Sequence, residues 1–434
     1  MLDRKRLAFG AVFGAILVAA TLAGTEFMAS FYVPPWPAHV ISARAPAPVR
    51  LLGAPFKRQP WMADGDNSWA TRDQERTVAK PAGTRRFVFV GDSFVESRFT
   101  PLTVPAAVQQ RLGTEGGPTE SVNLAIGATD PRSYYFRIRD VAVELQPDAV
   151  LLFIYAGNDF MAPDQGYTMW PKLVDESPGG SLVGSIMPRT NWLIVNRFDL
   201  SAFFRSVSKA PANDEAMLFA AVTAPPEERL KRIVAYAKTY RFPDMPEARI
   251  AEVLSRGGNR FASIALPQDG EQEYLLDWMF DTLMSWETSD FDVAKSPQDA
   301  ARLAGYGQVE ATLSWIEATQ RVLRRRGVPL LVFLAPVGSV DPDYADFWSP
   351  WPRAYSWNYL CDEWTSRLAV ALARDGIRTV DLRENLAGVR GTYRKLDGHW
   401  SQKGEAIVAD RVALELKFLL RGSNQMKADG SGPR

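Results

Sequence analysis

Five short apolar runs constrain what this chain can fold into more than any other feature. They are Arg86–Val90, Ser121–Ile126, Ala149–Tyr155, Pro329–Ala335 and Ile377–Leu382. Continuous apolar runs of this length suit strands buried on both faces of a parallel sheet. Helical stretches lie between several of them. Ala311–Arg326 ends in three arginines before Gly327, a basic last turn followed by a stop residue, and Ser401–Leu420 follows the final run. Strand and helix in alternation predict an α/β fold, a doubly wound parallel sheet with right-handed crossovers. In such sheets ligands bind beyond the carboxyl ends of the strands.

The third and fourth runs stand much farther apart than a normal connection allows. The stretch between them has helical signals of its own. After Pro225 and Pro226, the positions Leu230, Ile233, Val234 and Ala237 repeat at helical spacing, and Glu273–Trp286 is similar. Residues 161–300 read as a mostly helical insertion that caps or flanks the ligand edge.

Leu7–Thr25 carries no charge and follows Arg4, Lys5 and Arg6. Its length suits a transmembrane helix, and the basic cluster predicts a cytoplasmic amino terminus. The competing reading, a cleaved signal peptide with a weak site near Thr21-Leu22-Ala23, fits less well because the run exceeds a usual signal core. Residues 1–6 are then a cytoplasmic tail and 7–28 an anchor. Residues 29–85 form a Pro-rich stalk that contains His39, to which a surface or packing role is assigned. Residues 86–422 are the folded domain and 423–434 a polar tail. The anchor places that domain outside the cytoplasm, in the periplasm of an inner-membrane, single-pass protein.

Composition narrows the chemistry. Fifty Lys+Arg balance fifty Asp+Glu, so the basic field of a sequence-independent nucleic-acid binder is absent. The single cysteine, Cys361, excludes an internal disulfide framework and any multi-cysteine metal site. Of two histidines, only His399 lies in the folded domain.

Three short motifs fall at the predicted ligand edge. Gly91-Asp92-Ser93 ends the first run, where a glycine permits a sharp turn and a serine can project its hydroxyl. Gly157-Asn158-Asp159 follows the third run and supplies an amide. Asp397-Gly398-His399-Trp400 precedes the last helix, and a carboxylate two residues before a histidine can hold its Nδ1–H and leave Nε2 as a base. Singly each reads as a turn or a helix cap. Together they offer a nucleophile, an oriented base and an oxyanion donor, the parts needed for acyl transfer.

With these motifs the sequence resembles the SGNH/GDSL hydrolase family of serine esterases and acetyltransferases, over roughly 86–160 and 327–420. Gly91-Asp92-Ser93 matches the first block, Val122–Ala128 resembles the second, Gly157-Asn158-Asp159 matches the third, and Asp397 with His399 the last. The second block departs from the pattern. The family has a glycine five residues after the asparagine, where this chain has Ala128 preceded by Gly127. The Asp-x-His spacing followed by Trp resembles the alginate O-acetyltransferase branch. The resemblance implies the SGNH fold, a flavodoxin-like five-stranded parallel sheet. It implies a catalytic Ser93, Asp397 and His399, with an oxyanion hole made of the Ser93 N–H, the N–H of Gly127 or Ala128, and Asn158. No cofactor or metal is implied.

The expected substrate is a polysaccharide or a small ester, with an acetyl group the favoured acyl. A transferase would need a multi-span, acyl-transporting membrane partner. The alternatives are a non-catalytic glycan-binding or assembly subunit and a lipase-like esterase. Trp348, Trp351, Trp357 and Trp364 read as core material with one or two available to line a groove, and Arg324–Arg326 as a solvated helix end.

Overall fold

The computed structural model describes residues 4–30, 71–97, 100–113, 117–127, 129–160, 223–258, 293–395 and 398–428, with isolated positions and short pieces at 67, 217, 220–221, 260, 283–284 and 286–288. Most of the stalk with His39, most of the Glu273–Trp286 pattern, and both Ala128 and Asp397 lie outside the described residues. The chain divides into two compact units, 1–75 with 168–209 and 76–167 with 210–434.

In the first unit the principal described element is α1, Arg4–Ser30. It is long and apolar enough to cross a membrane. Val12, Phe13, Ile16, Leu17 and Val18 are all more than half exposed, so this is not the buried helix of a globular core. The Thr21 and Thr25 hydroxyls donate to Leu17 O and Thr21 O at 2.9 and 2.8 Å. Such back-bonding satisfies hydroxyls where water is absent.

The second unit is built on a five-stranded parallel sheet. In chain order its elements begin with β1 (Arg85–Val90), α2 (Ser93–Glu96), α3 (Val104–Leu112), β2 (Thr119–Asn123), α4 (Pro131–Asp140) and β3 (Ala149–Tyr155). The helices α5 (Pro226–Tyr236), α6 (Glu247–Ser255), α7 (Pro297–Leu303) and α8 (Gly307–Arg325) come next. Then follow β4 (Leu330–Ala335), α9 (Pro342–Trp348), α10 (Pro352–Arg374), β5 (Thr379–Asp381), α11 (Arg383–Leu386) and α12 (Gln402–Ala428). The strand order is β2-β1-β3-β4-β5, every neighbouring pair parallel.

All five predicted strands are present. β2 stops at Asn123, short of the predicted Ile126, because the Asn123 side chain accepts from Ala125 N at 3.0 Å and turns the chain. Leu124 N and Ile126 N still donate to Phe89 O and Gly91 O, so the segment stays tied to β1. α12 continues through the start of the predicted tail to Ala428.

Side chains alternate across the sheet as a strand requires. Phe87, Phe89, Leu151, Phe153, Leu331 and Phe333 join a core with Val104, Val108 and Leu112 of α3 and Val408, Val412 and Leu416 of α12. Phe153 stacks on Phe89 and Phe333 with centroids 6.2 and 4.9 Å apart. Each such ring contributes about 1.5–3 kcal/mol by leaving water. Val88, Val90, Val150, Leu152, Val332 and Leu334 point the other way and are equally buried. Helix α8 packs against both α4 and α10.

Among the charged residues of these strands, Arg86 is the buried one. The Arg86 side chain is fully buried, yet its guanidinium donates to Glu120 Oε2 at 2.7 Å and to Val78 O and Leu145 O at 2.9 Å. Such pairing is what makes a buried charge tolerable.

The described part of the insertion packs beside the β4 end of the sheet. Ile233 and Val234 of α5, with Ile250, Val253 and Leu254 of α6, form a core with Phe347, Trp348 and Trp351. Leu230, at the rim of that stripe, is exposed. The buried Glu287 carboxylate receives Arg353 N and Ala354 N at 2.8 and 2.9 Å and Arg256 Nη1 at 2.7 Å, capping the start of α10.

Gly404, in the first turn of α12, has no room for a methyl group. A Cβ there would stand 2.2 Å from Thr392 O. In an exposed helix Gly→Ala stabilises by about 0.5–1 kcal/mol. Here overpacking against backbone reverses the sign, and Gly404→Ala should cost about 1–3 kcal/mol. A urea melt indistinguishable from wild type would contradict this packing.

Candidate active site

Ser93 stands just past β1 because two neighbours, Gly91 and Asp92, shape the turn. A Cβ at Gly91 would meet Val95 Cγ2 at 3.0 Å and Phe153 Cβ at 3.1 Å, so the chain passes closest to the core where it has no side chain. Asp92 caps α2, its carboxylate accepting from Phe94 N at 3.0 Å. Ser93 is then the first helical residue, a position whose N–H has no acceptor within its own helix.

His399 arrives from the other end of the sequence. Gly398, at φ 71°, takes a left-handed turn that favours glycine. Gly398 N donates to Arg394 O, Arg394 N to His399 O, and Ser401 N to Thr392 O, closing the loop on itself. The result is a 2.7 Å contact between His399 Nε2 and Ser93 Oγ, residues 306 positions apart. In the tautomer with its proton on Nδ1, Nε2 accepts the serine hydroxyl hydrogen. The imidazole also stacks on Phe94 at 4.8 Å, and Trp400 meets Phe94 edge-on at 4.9 Å.

Asn158 lies at the same edge, after β3. A Cβ on Gly157 would fall 2.4 Å from the Tyr155 ring, so only glycine lets the turn close over that tyrosine. Asn158 Nδ2 donates to Asp92 Oδ2 at 3.1 Å. This uses one of its two hydrogens and fixes the orientation of the amide, and the second hydrogen remains for a ligand. Burial pushes the Asp92 carboxyl up, against the lowering effects of the Phe94 N–H, the His399 charge and the Asn158 amide.

Three of the expected site residues, Ser93, His399 and Asn158, are therefore gathered at one edge. Asp397 and Ala128 lie outside the described residues. Gly127 is described, and its N–H is donated to the buried Glu96 Oε2 at 2.8 Å. The tryptophans serve the core. Trp348, Trp351 and Trp364 are buried, their indole N–H groups donating to Lys395 O, Val253 O and Gly305 O. Trp357 is half-buried between Trp286 and Trp364. Arg324, Arg325 and Arg326 are solvent-exposed at the end of α8.

Behind Asn158 lies a buried network that the motifs did not announce. Tyr134 Oη is 3.0 Å from both Thr129 O and Asp159 Oδ1, while Asp159 Oδ2 accepts from Tyr155 N at 2.7 Å. A phenol has one hydrogen, and the carbonyl of Thr129 can only accept. The arrangement is satisfied throughout if Asp159 is protonated, donates to Tyr134 Oη, and Tyr134 donates to Thr129 O. Burial first, and then the charge of Asp92, push the Asp159 carboxyl well above its ordinary range.

The comparisons with known proteins bear on this frame. Residues 293–430 match the family model described as the SGNH hydrolase-like domain of the acetyltransferase AlgX. This segment holds His399, and 86–160, with Ser93 and Asn158, lies outside the match. Two solved structures are also similar. One is a GDSL-like lipase of Bacteroides thetaiotaomicron, 9% identical, covering 77% of this chain and 89% of that chain with a TM-score of 0.32. The other, described as an acylhydrolase of Bacteroides fragilis, is 10% identical and covers 77% and 88% with the same TM-score. A likeness so distant carries no argument, and the fold rests on the strand order itself. No curated protein sequence matches the chain.

The neutral Asp159 is open to test. A carboxyl that keeps its proton to higher pH folded than unfolded loses stability as pH rises from the ordinary carboxylate range toward the raised value. Asp159→Asn keeps an acceptor for Tyr155 N and a donor for Tyr134 Oη without that loss. Its melting temperature should match wild type near about pH 4 and exceed it by a few degrees near about pH 8. A lower melting temperature at the higher pH would mean that Asp159 is needed as an anion.

Proposed function

The SGNH hydrolase-like match over 293–430 opens the functional reading, and from it we propose that the chain is a membrane-anchored serine esterase or O-acyltransferase. Its substrates are acyl esters, most favourably acetyl, of a cell-envelope polysaccharide. The observation that carries this reading is the 2.7 Å contact of His399 Nε2 with Ser93 Oγ. That is hydrogen-bond reach between a nucleophile and its base.

The reaction runs in two halves. Ser93 Oγ attacks the ester carbonyl carbon while its proton passes to His399 Nε2. The tetrahedral oxyanion is met by the Ser93 N–H and the unused hydrogen of Asn158 Nδ2. Collapse expels the alcohol, which leaves with the proton from His399, and an acyl-Ser93 ester remains. Water or a sugar hydroxyl then gives its proton to His399 and attacks that ester, releasing a carboxylic acid or a new ester and restoring Ser93. Asp397, two residues before the histidine, is assigned to hold the imidazole and stabilise its cation.

The 27 residues of α1 extend to about 40 Å at 1.5 Å each, enough for a bilayer core of about 30 Å. With Arg4, Lys5 and Arg6 before the apolar stretch, the enzyme domain is assigned to the periplasm. A transferase there draws its acyl group across the membrane, which calls for a multi-span acyl-transporting partner.

Two measurements test the reading. A fluorophosphonate should label Ser93 in the detergent-solubilised protein, and Ser93→Ala or His399→Ala should lower hydrolysis of an aryl acetate by about 10³-fold or more. Full activity of either variant rejects the assignment. Adding acetylated and de-acetylated glycans then separates hydrolysis from transfer by product. Separately, a phosphatase fused after Arg434 should be active only if exported, and an inactive fusion together with an active cytoplasmic reporter at the same point overturns the topology.

A further inference from the structure

The loop after β2 approaches the site beside Ser93, and Gly127 is one of its two expected oxyanion donors. Its N–H instead points to Glu96 Oε2, 2.8 Å away. An N–H has a single proton, so Gly127 cannot serve an oxyanion while that bond stands. Glu96 is the last residue of α2, three positions after Ser93, and only 1% of its surface is exposed. Its carboxylate is therefore beneath the site rather than in its opening, and it does not reach substrate.

Three further side-chain bonds hold the start of the same loop. Asn123 Nδ2 donates to Val95 O at 3.2 Å. The buried Arg137 donates through Nη1 to Leu124 O at 2.9 Å and, less closely, to Gly91 O at 3.4 Å. Together with Leu124 N and Ile126 N, which donate to Phe89 O and Gly91 O, these bonds hold the β2 loop as far as Ile126. The Glu96 bond carries the tie one residue further, to Gly127.

Resting on the reading of Ser93 as nucleophile, we infer that Glu96 is a positioning residue. Its carboxylate locks the Gly127 amide to the nucleophile turn, takes that amide out of the oxyanion hole, and so fixes the β2 loop relative to Ser93. The rate then depends on Glu96 through geometry, because a misplacement of about 1 Å at a reacting centre can cost about 10²-fold.

The test uses the full-length protein in detergent, aryl acetate kinetics, and kcat referred to sites titrated by a fluorophosphonate burst. A merely structural role would lower the fraction of titratable sites and leave kcat per site unchanged. Glu96→Ala should lower kcat per site by about 10–100-fold with KM within about threefold, as expected for an effect confined to the transition state. Glu96→Gln keeps an acceptor oxygen and should return kcat to within about fivefold of wild type. Wild-type or raised kcat in Glu96→Ala, or a loss seen only in KM, overturns the inference. If Glu96→Ala does not fold, Glu96→Asp decides, because it keeps the carboxyl group and falls one methylene short. A lowered kcat beside a near-normal Glu96→Gln supports the inference, and equal rates in the two overturn it. Failure of the underlying esterase reading is separately visible as a wild-type protein whose Ser93 takes no label.

Discussion

The site depends on one topological constraint, the reversal of winding between β1 and β3. The chain leaves β1 for β2 on one side and then returns across β1 to reach β3, giving the order β2-β1-β3-β4-β5. Right-handed crossovers put the connections of these two moves on opposite faces of the sheet. The segments leaving the carboxyl ends of β1 and β3 therefore diverge, although the strands are neighbours, and a crevice opens between them. Ser93 stands on one lip and Asn158 on the other. Neither needs an unusual backbone of its own, since the divergence is a property of the sheet. The histidine loop is the added part, and its bond to Ser93 closes the arrangement.

A crevice lined by polar groups beside an apolar core creates a second demand. Every buried donor or acceptor near it has to be matched, or it costs about 1–3 kcal/mol. Asp92 meets this by serving Phe94 N and Asn158 Nδ2 together. Asp159 serves Tyr155 N and Tyr134, and its backbone carbonyl accepts from the Thr312 hydroxyl of α8 at 2.7 Å. The Asn158 amide is thus held directly to the Asp92 turn and, through its neighbour Asp159, to α4 and α8. Such a network fixes one orientation of Asn158, which is what a preorganised oxyanion donor requires.

The sheet was legible in the sequence because strands buried on both faces leave an unbroken apolar run that few other structures produce. Ser93, Asn158 and His399 were legible because short glycine-bearing motifs sit where such strands end. The parts that were not legible act over long sequence separations. Nothing around Arg86 forecasts a buried guanidinium, because its partners Glu120 and Leu145 come from other elements. Glu96 reads as an ordinary charged residue at a helix end, and only the fold brings Gly127 to it. The choice between Gly127 and Ala128 as oxyanion donor could not be made from spacing, since both amides follow the same strand. Tyr134 and Asp159 belong to the same case, as a phenol and a carboxyl 25 positions apart carry no joint signature.

The described part of the insertion bears on the histidine as well as on any acceptor. Helices α5 and α6 pack against Trp348 and Trp351, and the Trp348 indole N–H donates to Lys395 O at 2.8 Å, inside the loop that carries His399. Tyr344, on the same helix as Trp348, lies under Gly398, where an added Cβ would meet its hydroxyl at 3.3 Å. One aromatic wall therefore supports the insertion on one side and the histidine loop on the other. Removing the insertion would uncover that wall and loosen the loop that sets the Nε2 to Oγ distance. Loss of activity after such a deletion is therefore expected from the displaced His399 loop alone. A groove role for the insertion is separable from this support only by substitutions on its solvent-facing side, which leave Ile250, Val253 and the two tryptophans in place.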